Sequence, residues 1–319
     1  MKVLITDAEY PDLSLERQIL EAAGFEVAVA HCRTPGQVIE AGQDAVGLLV
    51  QYAPVTAEVL EALPKLRVIS RYGVGVDTLD LEAARARGVW VANVPDYGAQ
   101  EVATHALAMI LALVRHLPFY DRQVRQGHWH YLATGTLRRP STLALGVVGL
   151  GRIGRLVATW GQSLFGKVYG CDPYLPEGAW PAGVDQEELE ELFTRSDVVS
   201  LHLPLMPETR GLVNRALLGH MRRGSYLVNT ARGGLVVLED LLWALDEGIL
   251  DAAALDVLPQ EPPPAGYPVL SHPRVLLSPH AAFYSQEAEL ELRRKAALNI
   301  VQWAREGRPA YALVEGRRG

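Results

Sequence analysis

Short apolar runs with the composition of β-strands alternate with helical stretches along nearly the whole chain. This alternation predicts an α/β architecture built on parallel sheets. The chain has 319 residues, 49% of them hydrophobic, so it can bury a sizeable core, and its length favours two domains. We therefore expect two doubly wound α/β domains.

The first block of strands lies within residues 1–98. Its strand-like runs are "KVLIT" (2–6), "FEVAVA" (25–30), "AVGLLV" (45–50), "VISRYG" (68–73) and "VWVANV" (89–94), with a helical stretch from 14 to 23. Pro95 and Gly98 then interrupt the pattern, and a long apolar helix follows. We place a domain boundary or hinge at this interruption.

The second block covers residues 99–290. Its strand-like runs are "LALGVVG" (143–149), "KVYGCD" (167–172), "DVVSLHLP" (197–204), "SYLVNTA" (225–231), "AAALDV" (252–257) and "VLLSPHA" (275–281). With helices between them, these runs are enough for a dinucleotide-binding sheet. A last helix, from 285 to about 306, is expected to return to the first block, so that 291–319 close the chain there.

A glycine motif, "GLGRIG" (149–154), follows the first apolar run of the second block. The pattern G-x-G-x-x-G is weak alone, because glycines are common. Here it opens a helix with one apolar stripe, formed by Ile153, Leu156, Val157, Trp160 and Leu164. A tight strand-to-helix turn that binds no ligand is the alternative, and this strand–turn–helix context weighs against it.

Each glycine of the motif has a separate physical task. Gly149 allows the tight turn, Gly151 lets the backbone approach a pyrophosphate, and Gly154 permits close packing of helix on strand, while the helix N-terminus attracts the anion. Asp172 ends the next strand, where a carboxylate accepts hydrogen bonds from ribose hydroxyls and repels a 2′-phosphate. The sequence therefore predicts NAD rather than NADP.

Three polar residues follow three strands of the second block. Arg232 comes after "SYLVNTA", Glu261 lies in a proline-braced loop after "AAALDV", and His280 follows "VLLSP". Ligands of open α/β sheets collect beyond the carboxyl ends of the strands. Arg232 alone would be better explained by a surface salt bridge, but the three together fit 2-hydroxy acid chemistry.

The chemistry assigns each residue a role. The planar guanidinium of Arg232 can bind a carboxylate with two hydrogen bonds. His280 would exchange the hydroxyl proton while hydride moves between C2 and the nicotinamide, and Glu261 would orient the imidazole and favour its charged form.

Six segments together resemble the D-isomer-specific 2-hydroxyacid dehydrogenases: "GLGRIG", "CDPY", "HLPLMPETRGLVN", "VNTARGG", "LDVLPQEP" and "SPHAA". The resemblance extends over essentially the whole chain. It implies a flavodoxin-like substrate domain in 1–98 and a Rossmann NAD-binding domain in 99–290. It also implies that Arg232, Glu261 and His280 are catalytic.

The same resemblance implies two sets of binding residues. The dinucleotide contacts are expected at Gly149, Gly151, Arg152, Ile153, Gly154, Asp172, Pro204, Thr209, Thr230, Ala231 and Asp256. The substrate contacts are expected at Arg71, Tyr72, Gly73, Val74 and Gly75, whose backbone amides suit a carboxylate, and at Phe283.

Within the family, "NTARGGLV" and "SPHAAFYSQEAELELR" resemble the C-terminal-binding-protein branch, beside the phosphoglycerate-dehydrogenase-like branch. Phe283 stands where the former branch usually has tryptophan, which leaves the substrate open. An NAD(H)-sensing interaction protein with weak or no turnover is therefore the alternative to an enzyme. The family implies a homodimer with contacts from about 115 to 142, and we expect no C-terminal regulatory domain.

Composition excludes several other functions. A net charge of −7 without a basic cluster argues against nucleic acid. Cys32 and Cys171 lie far apart without ligand spacing, and His128 and His130 lack a third ligand, so we expect neither a disulfide framework nor a metal. We find no signal peptide and no apolar run of membrane-spanning length, and therefore expect a cytoplasmic protein without a membrane partner.

Overall fold

The computed structural model describes residues 1–176 and 178–317. The chain divides into two compact units: unit 1 comprises Met1–Gly98 and Ser285–Gly319, and unit 2 comprises Ala99–Tyr284. The sequence predicts that the second block ends at residue 290, whereas unit 2 ends at Tyr284. Unit 2 ends earlier because Ser285 caps the next helix, with its Oγ accepting a hydrogen bond from the Ala288 N–H at 3.0 Å.

The strands of both units are short, as is usual for parallel sheets. In chain order they are β1 (Lys2–Ile5), β2 (Glu26–Val29), β3 (Ala45–Val50), β4 (Val68–Arg71), β5 (Trp90–Ala92), β6 (Ala144–Val148), β7 (Lys167–Cys171), β8 (Asp185–Gln186), β9 (Val198–Leu201), β10 (Ser225–Asn229), β11 (Leu250–Leu255), β12 (Val275–Leu277) and β13 (Ala312–Val314).

Helices connect most of these strands. In chain order they are α1 (Ser14–Ala22), α2 (Pro35–Gly42), α3 (Ala57–Ala62), α4 (Leu81–Arg87), α5 (Ala99–Val114), α6 (Leu117–Arg125), α7 (Arg152–Gly161), α8 (Leu189–Arg195), α9 (Arg215–Gly219), α10 (Leu238–Asp246) and α11 (Gln286–Glu306). Short 3₁₀ turns occur at Pro140–Thr142, Gly233–Leu235 and Pro268–Leu270.

The sheet of unit 1 has the strand order β13-β5-β4-β3-β1-β2. Strands β1 to β5 are parallel, in the flavodoxin-like order β2-β1-β3-β4-β5. Strand β13 pairs antiparallel with β5 at the edge of the sheet. Helix α11 packs against α1, where Arg293 forms a buried ion pair with Glu16 (Nε to Oε1, 2.7 Å). The closing helix therefore packs on the first block.

The sheet of unit 2 has the order β12-β11-β10-β9-β6-β7-β8, and all its pairs are parallel. Read from the other edge, it is the dinucleotide-binding order 3-2-1-4-5-6 with one further strand. This topology confirms the predicted fold class. The direction of winding reverses between β6 and β9, the point where such sheets bind their ligands.

Both faces of the unit 2 sheet are covered by apolar layers. Ala144 and Val148 in β6 pack into one buried cluster, whereas Leu145 and Val147 pack into the other. This alternation is the period of two expected of a strand. The sheet is therefore rigid behind the loops that follow its strands.

No single helix among the described residues is long and apolar enough to cross a bilayer. The bent pair α5 and α6 reaches that length and composition only when taken together, with a 56° angle between them.

Candidate active site

The glycine turn after β6 has the geometry that the sequence predicts. Gly149 has φ +88°, and an added Cβ would lie 2.6 Å from the carbonyl oxygen of His202. A Cβ on Gly154 would lie 1.9 Å from the Gly149 carbonyl oxygen. Both positions therefore require glycine, the first for the turn and the second for packing of α7 on the strand.

Gly151 differs from its neighbours. A Cβ added there would meet no atom of the described residues within 4 Å, and Gly151 directly precedes the N-terminus of α7. Open space at the positive end of a ten-residue helix fits the pyrophosphate of a dinucleotide. Arg152 is exposed in the first turn, and Ile153 packs into the core below it.

Asp172 follows β7 and holds the glycine turn. Its Oδ2 accepts a hydrogen bond from the Leu150 N–H at 2.8 Å, and its Oδ1 accepts one from the Tyr174 N–H at 3.0 Å. A carboxylate has about four acceptor positions, so capacity for ribose hydroxyls remains. Asp172 is thus both a brace of the turn and a candidate ribose contact.

Apart from Asp256, which follows β11, the remaining predicted cofactor residues lie on loops after β9 and β10. Thr209 closes its own loop, because its Oγ1 donates to the Pro204 carbonyl at 2.7 Å and accepts from the Met206 N–H at 2.8 Å. Thr230 is 7% exposed, and its Oγ1 has no hydrogen-bond partner among the described residues. A buried hydroxyl in this state fits a polar group of a bound ligand.

Buried Asn229, at the end of β10, shapes the turn that carries Arg232. Its Nδ2 donates to the Arg232 carbonyl at 2.9 Å, and its Oδ1 accepts from the Ala231 N–H at 3.0 Å. Arg232 itself donates from Nη1 to the Ala231 carbonyl at 2.7 Å and is half-buried. Sequence reasoning missed Asn229, whose polar position at the end of a buried strand is the signal that could have revealed it.

Gly233 explains why a glycine must follow the arginine. An added Cβ would lie 2.0 Å from the carbonyl carbon of Leu258 and 2.4 Å from the nitrogen of Pro259. The Arg232 turn therefore packs backbone to backbone on the loop after β11. That loop carries Glu261, so the contact brings the two loops together.

His280 and Glu261 form a hydrogen-bonded pair. The distance from His280 Nδ1 to Glu261 Oε2 is 2.6 Å, and Glu261 Oε1 accepts from the Leu258 N–H at 2.8 Å. A carboxylate only accepts hydrogen bonds, so the imidazole carries its proton on Nδ1 when neutral, and Nε2 is left for proton exchange. The His280 side chain is 43% exposed.

The pKa of Glu261 lies below its usual value. Burial acts to raise it, but the hydrogen bonds from His280 and from the Leu258 N–H, with the charges of His280 and Arg232, act more strongly to lower it. Glu261 is therefore ionised at neutral pH. Both of the other predicted catalytic residues, His280 and Arg232, contribute to lowering this pKa.

His280 has a left-handed backbone, with φ 54°, which is uncommon for a residue other than glycine. Asp256, which is 2% exposed, holds this loop. Its Oδ1 accepts from the Ser278 hydroxyl and from the Ala281 N–H at 2.9 Å, and its Oδ2 accepts from the Ala282 N–H at 3.0 Å. The sequence predicts Asp256 as a cofactor contact; in the structure its carboxylate oxygens accept three hydrogen bonds from the chain around His280 and so brace this loop.

Two further side chains lie close to this loop. His105, in α5, has its Nε2 3.0 Å from the Ser278 Oγ. The ring of Phe283 is edge-to-face with the His280 ring, at a centroid distance of 6.4 Å. Phe283 therefore gives the imidazole an apolar neighbour, as the sequence predicts for a pocket residue.

In unit 1, the predicted substrate residues follow β4. The Arg71 guanidinium folds over Gly73, where an added Cβ would lie 1.7 Å from Nη1. Tyr72 departs from the prediction: its side chain is 2% exposed, its hydroxyl donates to Glu16 Oε1 at 3.3 Å, and its N–H donates to the Val50 carbonyl at 2.8 Å. Tyr72 therefore points into unit 1, and both of its donors are already used.

The rest of the 71–75 turn is more open. Gly73 has φ +132°, and its N–H donates to the Arg71 carbonyl at 3.0 Å. Val74 is 45% exposed, and Gly75 is half-buried.

Residues 107–282 match the family model for the D-isomer specific 2-hydroxyacid dehydrogenases, NAD binding domain. The D-3-phosphoglycerate dehydrogenase of Pongo abelii is 38% identical over 303 residues, which is 94% of this chain and 56% of that protein. The chain thus spans little more than half the length of this curated relative.

Solved structures are similar over nearly their full length. A protein from Thermus thermophilus is 36% identical, with a TM-score of 0.87 over 98% of this chain and 100% of that one. The D-lactate dehydrogenase from Aquifex aeolicus, complexed with NAD and lactic acid, is 29% identical, with a TM-score of 0.85 over 96% of each chain.

Proposed function

We propose that this chain, which belongs to the D-isomer specific 2-hydroxyacid dehydrogenase family, is an NAD-dependent oxidoreductase that interconverts a D-2-hydroxy acid and a 2-oxo acid. The observation that carries the proposal is the 2.6 Å pair of His280 and Glu261, packed beside the Arg232 turn on a dinucleotide-binding sheet. When bound at these loops, the nicotinamide cofactor would supply the hydride acceptor for oxidation at C2 and the hydride donor for reduction.

The chain's own residues supply the acid–base chemistry. In oxidation, Nε2 of His280 accepts the proton of the C2 hydroxyl, so that the C2–O bond becomes a carbonyl as hydride leaves. In reduction, the same nitrogen donates the proton to the carbonyl oxygen. Glu261 stabilises the imidazolium, and general acid–base help of this kind contributes about 10² to 10⁴ in rate.

Arg232 positions the substrate in this proposal. Its guanidinium binds the substrate carboxylate and polarises the neighbouring carbonyl, which favours the build-up of negative charge on oxygen. Substrate contacts in unit 1 are assigned to Arg71, Gly73, Val74 and Gly75, without Tyr72, and Phe283 lines the side-chain pocket.

The cofactor contacts are assigned to the loops of unit 2. The open space at Gly151, the orphaned Thr230 hydroxyl and the remaining acceptor capacity of Asp172 support them. The residues are Gly149, Gly151, Arg152, Ile153, Gly154, Asp172, Pro204, Thr209, Thr230 and Ala231.

A substrate panel tests the activity. NADH absorbance is followed with glyoxylate, hydroxypyruvate, pyruvate, phenylpyruvate and 3-phosphohydroxypyruvate, and at least one is expected to be reduced. The H280A variant should lose about 10² or more in kcat while NADH still binds. Tight NADH binding with no turnover on any of the five would favour the NAD(H)-sensing alternative.

We also propose a homodimer in the cytoplasm. The segment after α6 exposes three large apolar side chains, Trp129 (86%), Tyr131 (75%) and Leu132 (50%), which a second copy of the chain would cover. The two cysteines, Cys32 and Cys171, are both free, as expected in a reducing compartment. Light scattering should give twice the chain mass for the wild type and a shift towards monomer for W129A; a wild-type monomer would contradict the proposal.

A further inference from the structure

We propose that the substrate has an uncharged side chain and carries no phosphate, because the loops of unit 1 that follow its central strands offer one cation among three carboxylates and several tyrosines. The inference rests on the proposed function, whose substrate carboxylate and C2 it takes as given. It concerns the third part of the substrate, the group attached to C2.

The loops beyond the carboxyl ends of β1, β3, β4 and β5 are residues 6–10, 51–53, 71–74 and 93–97. Such ends are where open parallel sheets place ligand contacts. Within these ranges Arg71 is the one Lys or Arg, against Asp7, Glu9 and Asp96. A phosphomonoester adds about −1.5 to −2 charge at pH 7 and is usually held by clustered arginine or lysine.

The nearest cations from α11 are already neutralised. Arg293 binds Glu16 through Nε at 2.7 Å and through Nη2 at 2.8 Å, and its Nη1 lies 3.2 Å from Glu289. These contacts engage all three nitrogens of the guanidinium group. Arg293 is therefore committed to the core of unit 1.

Lys295 is likewise paired with two carboxylates. Its Nζ lies 2.9 Å from Asp96 Oδ2 and 2.5 Å from Glu291 Oε1. Two carboxylates around one ammonium group leave a net negative site, which repels a further anion. Neither Arg293 nor Lys295 can therefore bind a phosphate without leaving a carboxylate uncompensated.

The same loops also contain four tyrosines: Tyr10, Tyr52, Tyr72 and Tyr97. The rings of Tyr10 and Tyr72 are edge-to-face at 5.4 Å, and Arg293 stacks over Tyr10 at 4.6 Å. The Tyr97 hydroxyl lies 3.5 Å from the position of a Cβ on Gly73, next to Arg71. Tyr72 and Tyr97 are buried, so the apolar area and the hydroxyl groups that suit an apolar or hydroxylated side chain come from half-buried Tyr10 and exposed Tyr52.

Tyr52, which is 43% exposed, lies near both Glu9 and Arg71. Desolvation and the negative charge of Glu9 raise the pKa of Tyr52, against a smaller opposing effect of Arg71. The Glu9 N–H donates to Gln51 Oε1 at 2.8 Å, and the Tyr52 N–H donates to Asp7 Oδ2 at 2.7 Å. The carboxylate of Glu9 is thereby held on a loop that is tied to the loop of Tyr52.

The test compares two substrates that differ only in the phosphate ester, hydroxypyruvate and 3-phosphohydroxypyruvate, with NADH. We expect kcat/KM to favour hydroxypyruvate by about tenfold or more. Equal values, or a preference for the phosphorylated acid, would overturn the inference and leave the proposed dehydrogenase activity intact. If neither is reduced but pyruvate or phenylpyruvate is, the inference stands.

A charge variant checks the cause. Glu9→Gln should raise kcat/KM for the phosphorylated acid relative to the other by about threefold, since one repelling charge is removed. The matched control is E26Q, an exposed carboxylate at the opposite end of the sheet, where β2 begins. A ratio that E9Q leaves unchanged, or that E26Q moves equally, would refute the electrostatic explanation.

Binding separates failure of the inference from failure of the proposed function. If no 2-oxo acid is reduced, the dehydrogenase proposal falls, and calorimetry with NAD then compares D-glycerate with 3-phospho-D-glycerate. Tighter binding of D-glycerate supports an uncharged side-chain site even without turnover. Tighter binding of the phosphorylated acid, or binding of neither, contradicts it.

Discussion

Replacing Asp256 by asparagine tests whether this buried carboxylate acts by holding His280 in place. The aspartate accepts hydrogen bonds from the Ser278 hydroxyl and from the N–H groups of Ala281 and Ala282. The side-chain oxygen of an asparagine can accept the same hydrogen bonds as Oδ1 of the aspartate. Its NH₂ group then faces the Ala282 N–H, and because both groups are donors no hydrogen bond forms between them. Ala282 is 4% exposed, so water cannot easily replace the lost acceptor.

The size of the effect follows from these contacts. One hydrogen bond to a charged group contributes about 1.5–3 kcal/mol. The left-handed backbone of His280 costs roughly 1–2 kcal/mol, which the Asp256 contacts offset in the native loop. Losing about 2 kcal/mol of that support would lower the equilibrium constant between the productive and the displaced loop conformation about 30-fold. We therefore expect kcat/KM of D256N to fall by about 10- to 100-fold.

The assay must separate this role from the cofactor contact predicted from the sequence. NADH affinity is measured by fluorescence titration and kcat at saturating NADH, for D256N and for the control D251N. Asp251 lies in β11, the strand that ends just before Asp256, but it binds His116, with Nε2 to Oδ2 at 2.8 Å. We expect D256N to lower kcat with less than about a threefold change in NADH affinity. A variant with unchanged kcat and much weaker NADH binding would refute the reasoning and restore the cofactor role.

Three other substitutions probe different parts of unit 2. Gly233→Ala would place a methyl group 2.0 Å from the Leu258 carbonyl carbon, so the two loops must separate. We expect kcat/KM to fall about 10²-fold while the circular dichroism spectrum stays close to that of the wild type. Near-normal activity would show that the contact is dispensable. Asp172→Asn should narrow the preference for NADH over NADPH in kcat/KM, and an unchanged ratio would remove Asp172 from the ribose contact. Desolvation lowers the pKa of His202 to about 3. Between about pH 6.5 and pH 3 the unfolded chain therefore binds a proton that the native protein does not, so the free energy of unfolding decreases as the pH is lowered through this range. Urea titrations should show that the free energy of unfolding of the wild type decreases by about 2 kcal/mol more than that of H202Q between pH 7.5 and pH 5. The control is H220Q, which replaces an exposed histidine. Equal decreases in wild type and H202Q would contradict burial as the cause.

Elements with a strong hydrophobic pattern were predicted well from the sequence. The apolar run 45–50 coincides with β3, and the stripe from Ile153 to Leu164 packs into the buried cluster beneath α7. The pattern failed where an element has little to bury. Strand β8 (Asp185–Gln186) is exposed and two residues long, so it carries no alternating pattern.

The edge strand β13 was missed for a different reason. It is three residues long and pairs antiparallel with β5, so its stability comes from a partner distant in sequence. The composition of 312–314 contains no trace of that pairing.

The candidate site shows the same division. The sequence indicated Arg232, Glu261 and His280 because their chemistry is recognisable at the ends of strands. It did not indicate what Asn229 and Asp256 do, because these side chains bind backbone N–H and C=O groups, which every residue has. It also misjudged Tyr72, since only the strand's alternation, fixed by its pairing, decides that Arg71 and Tyr72 point to opposite faces.

These failures share a physical cause that bears on the chemistry. The three predicted catalytic side chains lie on loops, and loops are held by backbone contacts rather than by apolar burial. Here Asn229 fixes the Arg232 turn, Gly233 seats it on the loop of Glu261, and Asp256 fixes the turn of His280. Each contact involves a buried polar group or a glycine without room for a side chain, so each is intolerant of substitution. The precision of the acid–base pair therefore depends on residues that never meet the substrate in the proposed reaction.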